Sequence, residues 1–471
     1  MFSLRSLLDM TQGIVAGIPP APDLVFNGAQ TDSRKVRPGQ LFVAYRGDSL
    51  DGHDYAPQAV NNGASALLVE RPLALSVPQV VVPDPRASLA TVAGDLLQQS
   101  GIQHTVGITG SAGKTTTRAV VAGVFEAAAP GAVLASVGSF NTDTGVSMSI
   151  LDGLRPGLRL AVFELGMQTF GEIEALCKIV RPHAGIVTMV GGAHLEFMKT
   201  LENVTFAKSE LVRALPTSGI ALLNCDDPRV MTMANMTAAK VTTFGLSSDA
   251  DCFADDIQTL PEGLQRFQWH CGQHHGRTTT RLLGRHNLRN VLAAIGVSTW
   301  VGIPSDVIDM AIPDIQPPPG RLQLLPGING ATVLDDSYNA SRGAVLAALE
   351  TLRQYPARRR IALLGDMFEL GDASREEHSA VGTAAAGVVD LLGVLGHDAR
   401  WIADGAVAHG VSATQITHFP CNTASGADKE RARGEASRWL QALLRDGDVV
   451  LIKASHGMGL EHVVDQVKGH K

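Results

Sequence analysis

The segment Thr109-Gly110-Ser111-Ala112-Gly113-Lys114-Thr115-Thr116-Thr117 holds the residue types that a polyphosphate needs. Glycines let backbone N–H groups point at phosphate oxygens, a lysine meets the terminal phosphates, and a hydroxyl can reach Mg²⁺. The segment follows Val106-Gly107-Ile108-Thr109, a buried-strand pattern, and precedes the helical pattern Thr115 to Ala128. One glycine is displaced: the position five before Gly113 is Ile108, with Gly107 beside it. A nucleotide site also needs oxygen ligands for its metal. Glu164 ends the apolar run Val162-Phe163, which would place its carboxylate at the C-terminal edge of a sheet, beside the loop. His194 follows a second buried-strand pattern, Ile186 to Val190, in the same way.

These side chains need sheets to carry them. Strand patterns at Leu41 to Tyr45 and Ala66 to Val69 precede the Pro-rich segment Val77 to Pro85. A second stretch alternates strands at Leu160 to Glu164, Gly185 to Val190 and Ile220 to Asn224 with helices such as Thr205 to Leu215. Residues 250–283 read as an antiparallel insertion turning at Gly272, followed by a helix from His286 to Val301. The stiff linker Ile315-Gln316-Pro317-Pro318-Pro319-Gly320 opens a third stretch. There strands at Thr332 to Asp335, Ile361 to Leu364, Leu391 to Leu395 and Val449 to Lys453 alternate with helices at Arg342 to Gln354 and Glu376 to Ala386. Such alternation predicts parallel, doubly wound α/β sheets. The expected domains are 1–84, 85–314 and 315–471, in line with a prior of ~150 residues per domain.

Composition narrows the class. A net charge of −7, with no strongly basic domain, argues against nucleic-acid binding. No apolar run is long enough to span a bilayer, and Met1 to Met10 lacks the features of an export signal. The five cysteines are scattered, which predicts unpaired thiols and a cytoplasmic location.

The motifs resemble the Mur ligase family over nearly the whole chain. The pieces are Thr109 to Thr116, Glu164-Leu165-Gly166-Met167, Ala193-His194-Leu195-Glu196 and Ala207-Lys208-Ser209-Glu210, and the displaced glycine is the family's own version of the loop. Asp335-Asp336-Ser337-Tyr338-Asn339-Ala340, Gly365-Asp366-Met367-Phe368-Glu369-Leu370-Gly371 and Thr31-Asp32-Ser33-Arg34 are similar to the branch that joins D-alanyl-D-alanine to UDP-N-acetylmuramoyl-tripeptide. The branch that adds the third amino acid usually carries Asp-Asn-Pro-Arg, which is absent here. A phosphate-loop NTPase acting as a switch or motor remains a more distant alternative.

The resemblance implies an ATP-dependent amide ligase of three domains: a small UDP-sugar-binding unit, a central ATPase-type sheet and a C-terminal Rossmann-like unit. It assigns Gly110, Ser111, Ala112, Gly113, Lys114, Thr115 and Thr116 to ATP phosphates, Asn287 and Asn290 to adenine, and Arg321 and Asp336 to ribose and phosphates. Thr115 and Glu164 would hold one Mg²⁺, and His194 and Lys208 would serve a second, with Lys208 carbamylated in many relatives. Lys453 joins Lys114, Glu164, His194, Lys208 and Arg321 as an expected catalytic group. Expected substrate contacts are Ser33, Arg34, Asp51, His53, Asn141, Thr142, Tyr338, Asn339, Ser455 and His456, and the expected state is a monomer. Three departures from the family pattern are Ala454 for a glycine, Ser341-Arg342 for Asn-Pro, and Phe197-Met198-Lys199 for Gly-Phe-Gly. A zinc-like cluster of His270, Cys271, His274 and His275 fits no standard spacing and reads as a hairpin.

Overall fold

Runs without polar alternation form the centre of each sheet, because a strand covered on both faces has no solvent side. Leu160–Glu164 is buried at every position. Ala161 and Phe163 point into one core, and Leu160 and Val162 point into another on the opposite face. The computed structural model describes residues 1–21, 23–47, 50–192, 195–260 and 263–469.

Three large sheets follow one another along the chain. The first has five strands in the order Ile14–Gly17, Pro78–Val81, Ala66–Val69, Leu41–Val43, Ala29–Gln30. Only its first pairing is antiparallel. The second has nine strands, with Leu160–Glu164, His104–Thr109, Ala184–Val187 and Ile220–Asn224 adjacent and parallel. The third has six, ordered Gln323–Pro326, Thr332–Asp335, Asp448–Lys453, Arg359–Gly365, Leu391–Leu395, Ile416–Phe419, antiparallel only at the first pair. Helices cover these sheets, as the strand and helix alternation predicts. The first two sheets share a core: Phe26, Leu41 and Leu68 belong to the same apolar cluster as Phe163 and Leu176.

Several expectations need correction. The Pro-rich segment at 77–85 is not a bare linker. Pro78 begins a strand, and Pro85 begins the helix Pro85–Gln99, capped by Asp84. Proline is tolerated at both places, because no backbone N–H is needed there. The strand expected to reach Val190 stops at Val187, and the helix expected from Thr205 begins at Leu201, where the Thr200 hydroxyl caps it. Helices Asp143–Gly153, Glu172–Val180, Arg400–Ala408 and Gly426–Leu443 were not read from the sequence. Gly426–Leu443 buries only a narrow small-residue stripe around Ala432, Ala436 and Leu440, too weak an apolar signal to stand out.

The insertion is the expected antiparallel hairpin, Cys252–Thr259, Gln265–Cys271 and His274–Thr280, turning at Gly272. Cys252 and Cys271 are not free thiols. They stand opposite in register, 4.1 Å apart at Cα, and form a disulfide. A separation of 19 residues hides that pairing from the sequence. With Cys271 so engaged and His270 against Asp255, the four-residue cluster considered for a metal is a hairpin surface.

The linker from Ile315 runs beside the helix Lys114–Ala128. A Cβ at Gly123 would lie 2.7 Å from Ile315 Cγ1, so a larger residue there would push the Ile315 side chain aside. From the hairpin's end, Leu283 enters the core of the third sheet together with Leu322, Leu334 and Val345. Phe163 is a large, fully buried side chain on the strand that pairs with the phosphate-loop strand. Phe163→Ala is expected to lower stability by about 3–5 kcal/mol, read as an earlier unfolding transition in denaturant followed by fluorescence and circular dichroism; a loss below about 1 kcal/mol would contradict this packing.

Candidate active site

The phosphate loop is shaped by glycine and clamped by the next strand. Gly113 caps the helix Lys114–Ala128 with φ +88°, a conformation that suits glycine. A Cβ there would meet Asn290 Oδ1 at 2.6 Å. The Thr188 hydroxyl donates to Ala112 O (2.6 Å), and Ser111 exchanges hydrogen bonds with Gly191. The irregular stretch after Val187 therefore grips the loop, which is why that strand ends early. Lys114 Nζ folds back to Gly110 O at 2.8 Å. Burial is the main cause that lowers the pKa of this ammonium; Glu164 opposes the shift and Arg321 adds to it.

Glu164 sits where the strand ends, almost fully buried. Thr115 Oγ1 donates to its Oε2 at 2.8 Å, and Asn141 Nδ2 donates to its Oε1 at 3.2 Å. Arg321 reaches across from the third sheet's side, and its Nη2 donates to Thr115 Oγ1 at 3.2 Å. The Arg321 guanidinium lies over the Tyr338 ring at 4.0 Å, and Tyr338 stacks on His456. Next to Arg321, Leu322 holds φ +55°, a strained value for a residue with a side chain. Its N–H is fixed by Asp336 Oδ1 (3.0 Å), and Asp336 is paired with buried Lys453 at 2.6 Å. Lys453 also donates to Asn339 O. Burial lowers the Lys453 pKa, and Asp336 works against that shift.

Asn287 and Asn290 are buried on the helix Arg285–Val301. Thr117 Oγ1 donates to Asn290 Oδ1, Asn290 Nδ2 donates to Asn287 Oδ1, and Asn287 Nδ2 donates to Leu283 O. The chain of amides links this helix to the phosphate-loop helix. Lys208 is 1% exposed. Its pKa falls well below the usual lysine value, first through burial and then through the like charge of Lys114. His194 lies outside the described residues.

The expected substrate contacts divide. Tyr338, Asn339, His456 and Asn141 gather around Arg321, Lys453 and Glu164. Asn141 braces Glu164, and Thr142 caps the helix Asp143–Gly153. Ser455 Oγ accepts Phe368 N–H and holds that loop. Asp51 and His53 are better described as a clamp inside the first sheet. His53 Nδ1 meets Asp51 at 2.6 Å, its Nε2 accepts Glu70 N–H, and its side chain is wholly buried. With both ring nitrogens engaged, His53 has nothing left to offer a ligand. Hydrogen bonds from His53, backbone first, hold the Asp51 carboxyl well below the usual range. Ser33 is likewise engaged with Gln58, and Arg34 with Asp32. Two groups near the site were not picked from the sequence as functional. Arg118 has the same electrostatic neighbours as Lys114, and His286 is held down to about 4 by burial, Lys453 and Arg289. Neither stands out of a helical pattern.

Thr115 and Glu164 together fit Mg²⁺, which commonly takes one or two protein oxygens and completes its shell with water and phosphate. Lys208 as an ammonium is not a metal ligand.

Three family models match the chain. The Mur ligase middle domain covers residues 108–298, the Mur ligase glutamate ligase domain 320–456, and the Mur ligase family catalytic domain 25–95. The chain is 34% identical to the UDP-N-acetylmuramoyl-tripeptide–D-alanyl-D-alanine ligase of Escherichia coli, covering 98% of this chain and 97% of that protein. It is 28% identical to the ligase of that name from Bacillus subtilis over the same shares. Among solved structures it is similar to MurF from Acinetobacter baumannii, with TM-score 0.86, 28% identity and 98% coverage of both chains. It is also similar to MurF ligase from Thermotoga maritima in complex with ADP, with TM-score 0.79, 28% identity, and 95% and 98% coverage.

Lys114→Ala is expected to lower turnover by at least about 10²–10³-fold while the circular dichroism spectrum is unchanged. Retained turnover would remove the loop lysine from the chemistry.

Proposed function

The chain belongs to the Mur ligase family, and from that premise we propose that it joins D-alanyl-D-alanine to UDP-N-acetylmuramoyl-tripeptide in peptidoglycan precursor synthesis. The observation that carries this reading is the full-length similarity to ligases of that name.

Amide formation from a carboxylate and an amine is uphill in water, so the carboxylate must first be activated. In the proposed reaction the terminal carboxylate of the tripeptide attacks the γ-phosphorus of ATP. An O–P bond forms as the bond to ADP breaks, giving an acyl phosphate. The dipeptide amine then attacks the acyl carbon, a C–N bond forms, and phosphate leaves with the C–O bond pair. The amine proton passes to a base. Lys114 and Arg321 offset negative charge on the transferring group, which is where preorganised cations act most strongly. Thr115 and Glu164 would hold Mg²⁺, which would supply Lewis-acid neutralisation of the phosphate oxygens. Arg321 comes from beyond the linker and the loop from before it, so closure about 315–320 assembles the site. The Asp336–Lys453 pair holds the backbone after Arg321 in the strained form that this reach requires.

We place the working units at 1–84, 85–314 and 315–471. Action as a monomer is part of the same proposal. Among the described residues no helix is long and apolar enough to cross a membrane, and the ATP requirement supports a cytoplasmic site of action. The buried Lys208, poor at carrying charge there, is suited to carbamylation: the neutral amine is the reactive form, and the product is an anion that would relieve the like charge of Lys114.

ADP release should require both UDP-N-acetylmuramoyl-tripeptide and D-alanyl-D-alanine, measured with a panel of acceptor amines; turnover supported by a single free amino acid would overturn the substrate assignment. With ¹³C-bicarbonate near neutral pH, the protein should show a carbamate NMR signal that Lys208→Ala lacks; an identical spectrum from both proteins would refute the modification.

A further inference from the structure

Arg118 is a cation that the mechanism above does not use. It lies four residues beyond Lys114 and three beyond Thr115 on the helix Lys114–Ala128, so it shares their face. Helical side chains lean toward the helix N-terminus, which brings its guanidinium back toward the loop. Its charged neighbours are Glu164 and Arg321. Yet Glu164 gives its two oxygens to Thr115 and Asn141. Arg118 Nε is completely buried and has no hydrogen-bond partner among the described residues. A buried donor left without an acceptor costs about 1–3 kcal/mol, and more when it is charged. The linker and this helix run alongside each other between two contacts, Ile315 at Gly123 and Arg321 at Thr115. Arg118 lies on the helix between those two points. Glu164 is the carboxylate charge that acts on both Lys114 and Arg118, and Arg321 acts on both as a like charge.

We infer that Arg118 binds the anionic group of the reaction, as a second guanidinium alongside that of Arg321. The buried N–H is the donor waiting for an oxygen, and an anion there would offset the like charges of Lys114, Arg118 and Arg321. The inference rests on the ligase reading for the identity of that anion. Two sources share the chemistry: the terminal phosphate of ATP and the terminal carboxylate of the tripeptide, which become one acyl phosphate.

The test is calorimetric binding to the full chain, as wild type, Arg118→Gln and Arg118→Lys. The probes are a non-hydrolysable ATP analogue, ADP and UDP-N-acetylmuramoyl-tripeptide. Arg118→Gln should weaken either the ATP analogue relative to ADP, or the tripeptide relative to both nucleotides, by about tenfold or more. The first result assigns the phosphate and the second the carboxylate. Arg118→Lys should recover part of the loss, and it keeps the test open if the glutamine variant does not fold. Equal effects on all three ligands, or none, would overturn the role of Arg118. Failure of the wild type to bind the tripeptide would count against the ligase reading instead, while the comparison of ATP analogue with ADP would still decide Arg118.

Discussion

Lys114 and Arg321 come from opposite sides of a cleft and meet around Glu164 and Thr115. Bringing like charges together in a buried region is unfavourable unless an anion or a metal-bound phosphate joins them. Much of the surrounding structure exists to hold that arrangement. Thr188 and Ser111 fix the loop, Asn141 fixes Glu164, and Asp336 fixes the backbone beside Arg321. Because the partner elements are already in place, a ligand would meet a charge distribution that needs little further ordering.

The seam between the second and third sheets is correspondingly specific. It has a small apolar contact, with Leu283 in the third core, and polar ties such as Glu196 N–H to Glu369 O at 3.0 Å. By contrast the first and second sheets share one continuous apolar core, and Ala29 N–H donates to Asp152 Oδ1 (3.2 Å) across it. A shared core resists opening more than a polar seam does. The unit expected to hold the UDP-sugar is thus the better anchored one, and the linker side is the side free to move. Ile315 sets that linker against Gly123 of the phosphate-loop helix, and Arg321 just beyond it contacts Thr115 of the same helix.

Internal hydrogen bonds engage several motif residues within the protein. Within Asp51-Gly52-His53, the aspartate and histidine satisfy each other in the first sheet. Ser455 serves its neighbour Phe368, whose loop also carries Asp366, a buried acceptor for His397 and Ala399 N–H groups. Such residues position loops at the strand ends. A short motif match cannot separate them from the residues that touch substrate, since both kinds sit at the same sheet edge.

The strand-loop-helix of residues 104–128, the carboxylate at Glu164, the antiparallel hairpin and the stiff linker were all legible in the sequence. Each is a local pattern: an apolar run, a glycine pair, a proline series or a turn glycine, and local sterics decide its conformation. The small-residue helix Gly426–Leu443 and the strand within 77–85 were not legible, since weak apolar signals take their form from the sheets they pack on. Pairings were hidden altogether. Nothing in the order of residues says that Arg321 reaches Thr115 across 206 positions, that Asn290 closes on Thr117, or that Cys252 faces Cys271. The chain alone determined which chemical groups were available. The packing of three sheets decided which of them share one buried volume, because charge and hydrogen bonding act over a few ångströms of space and not along the sequence.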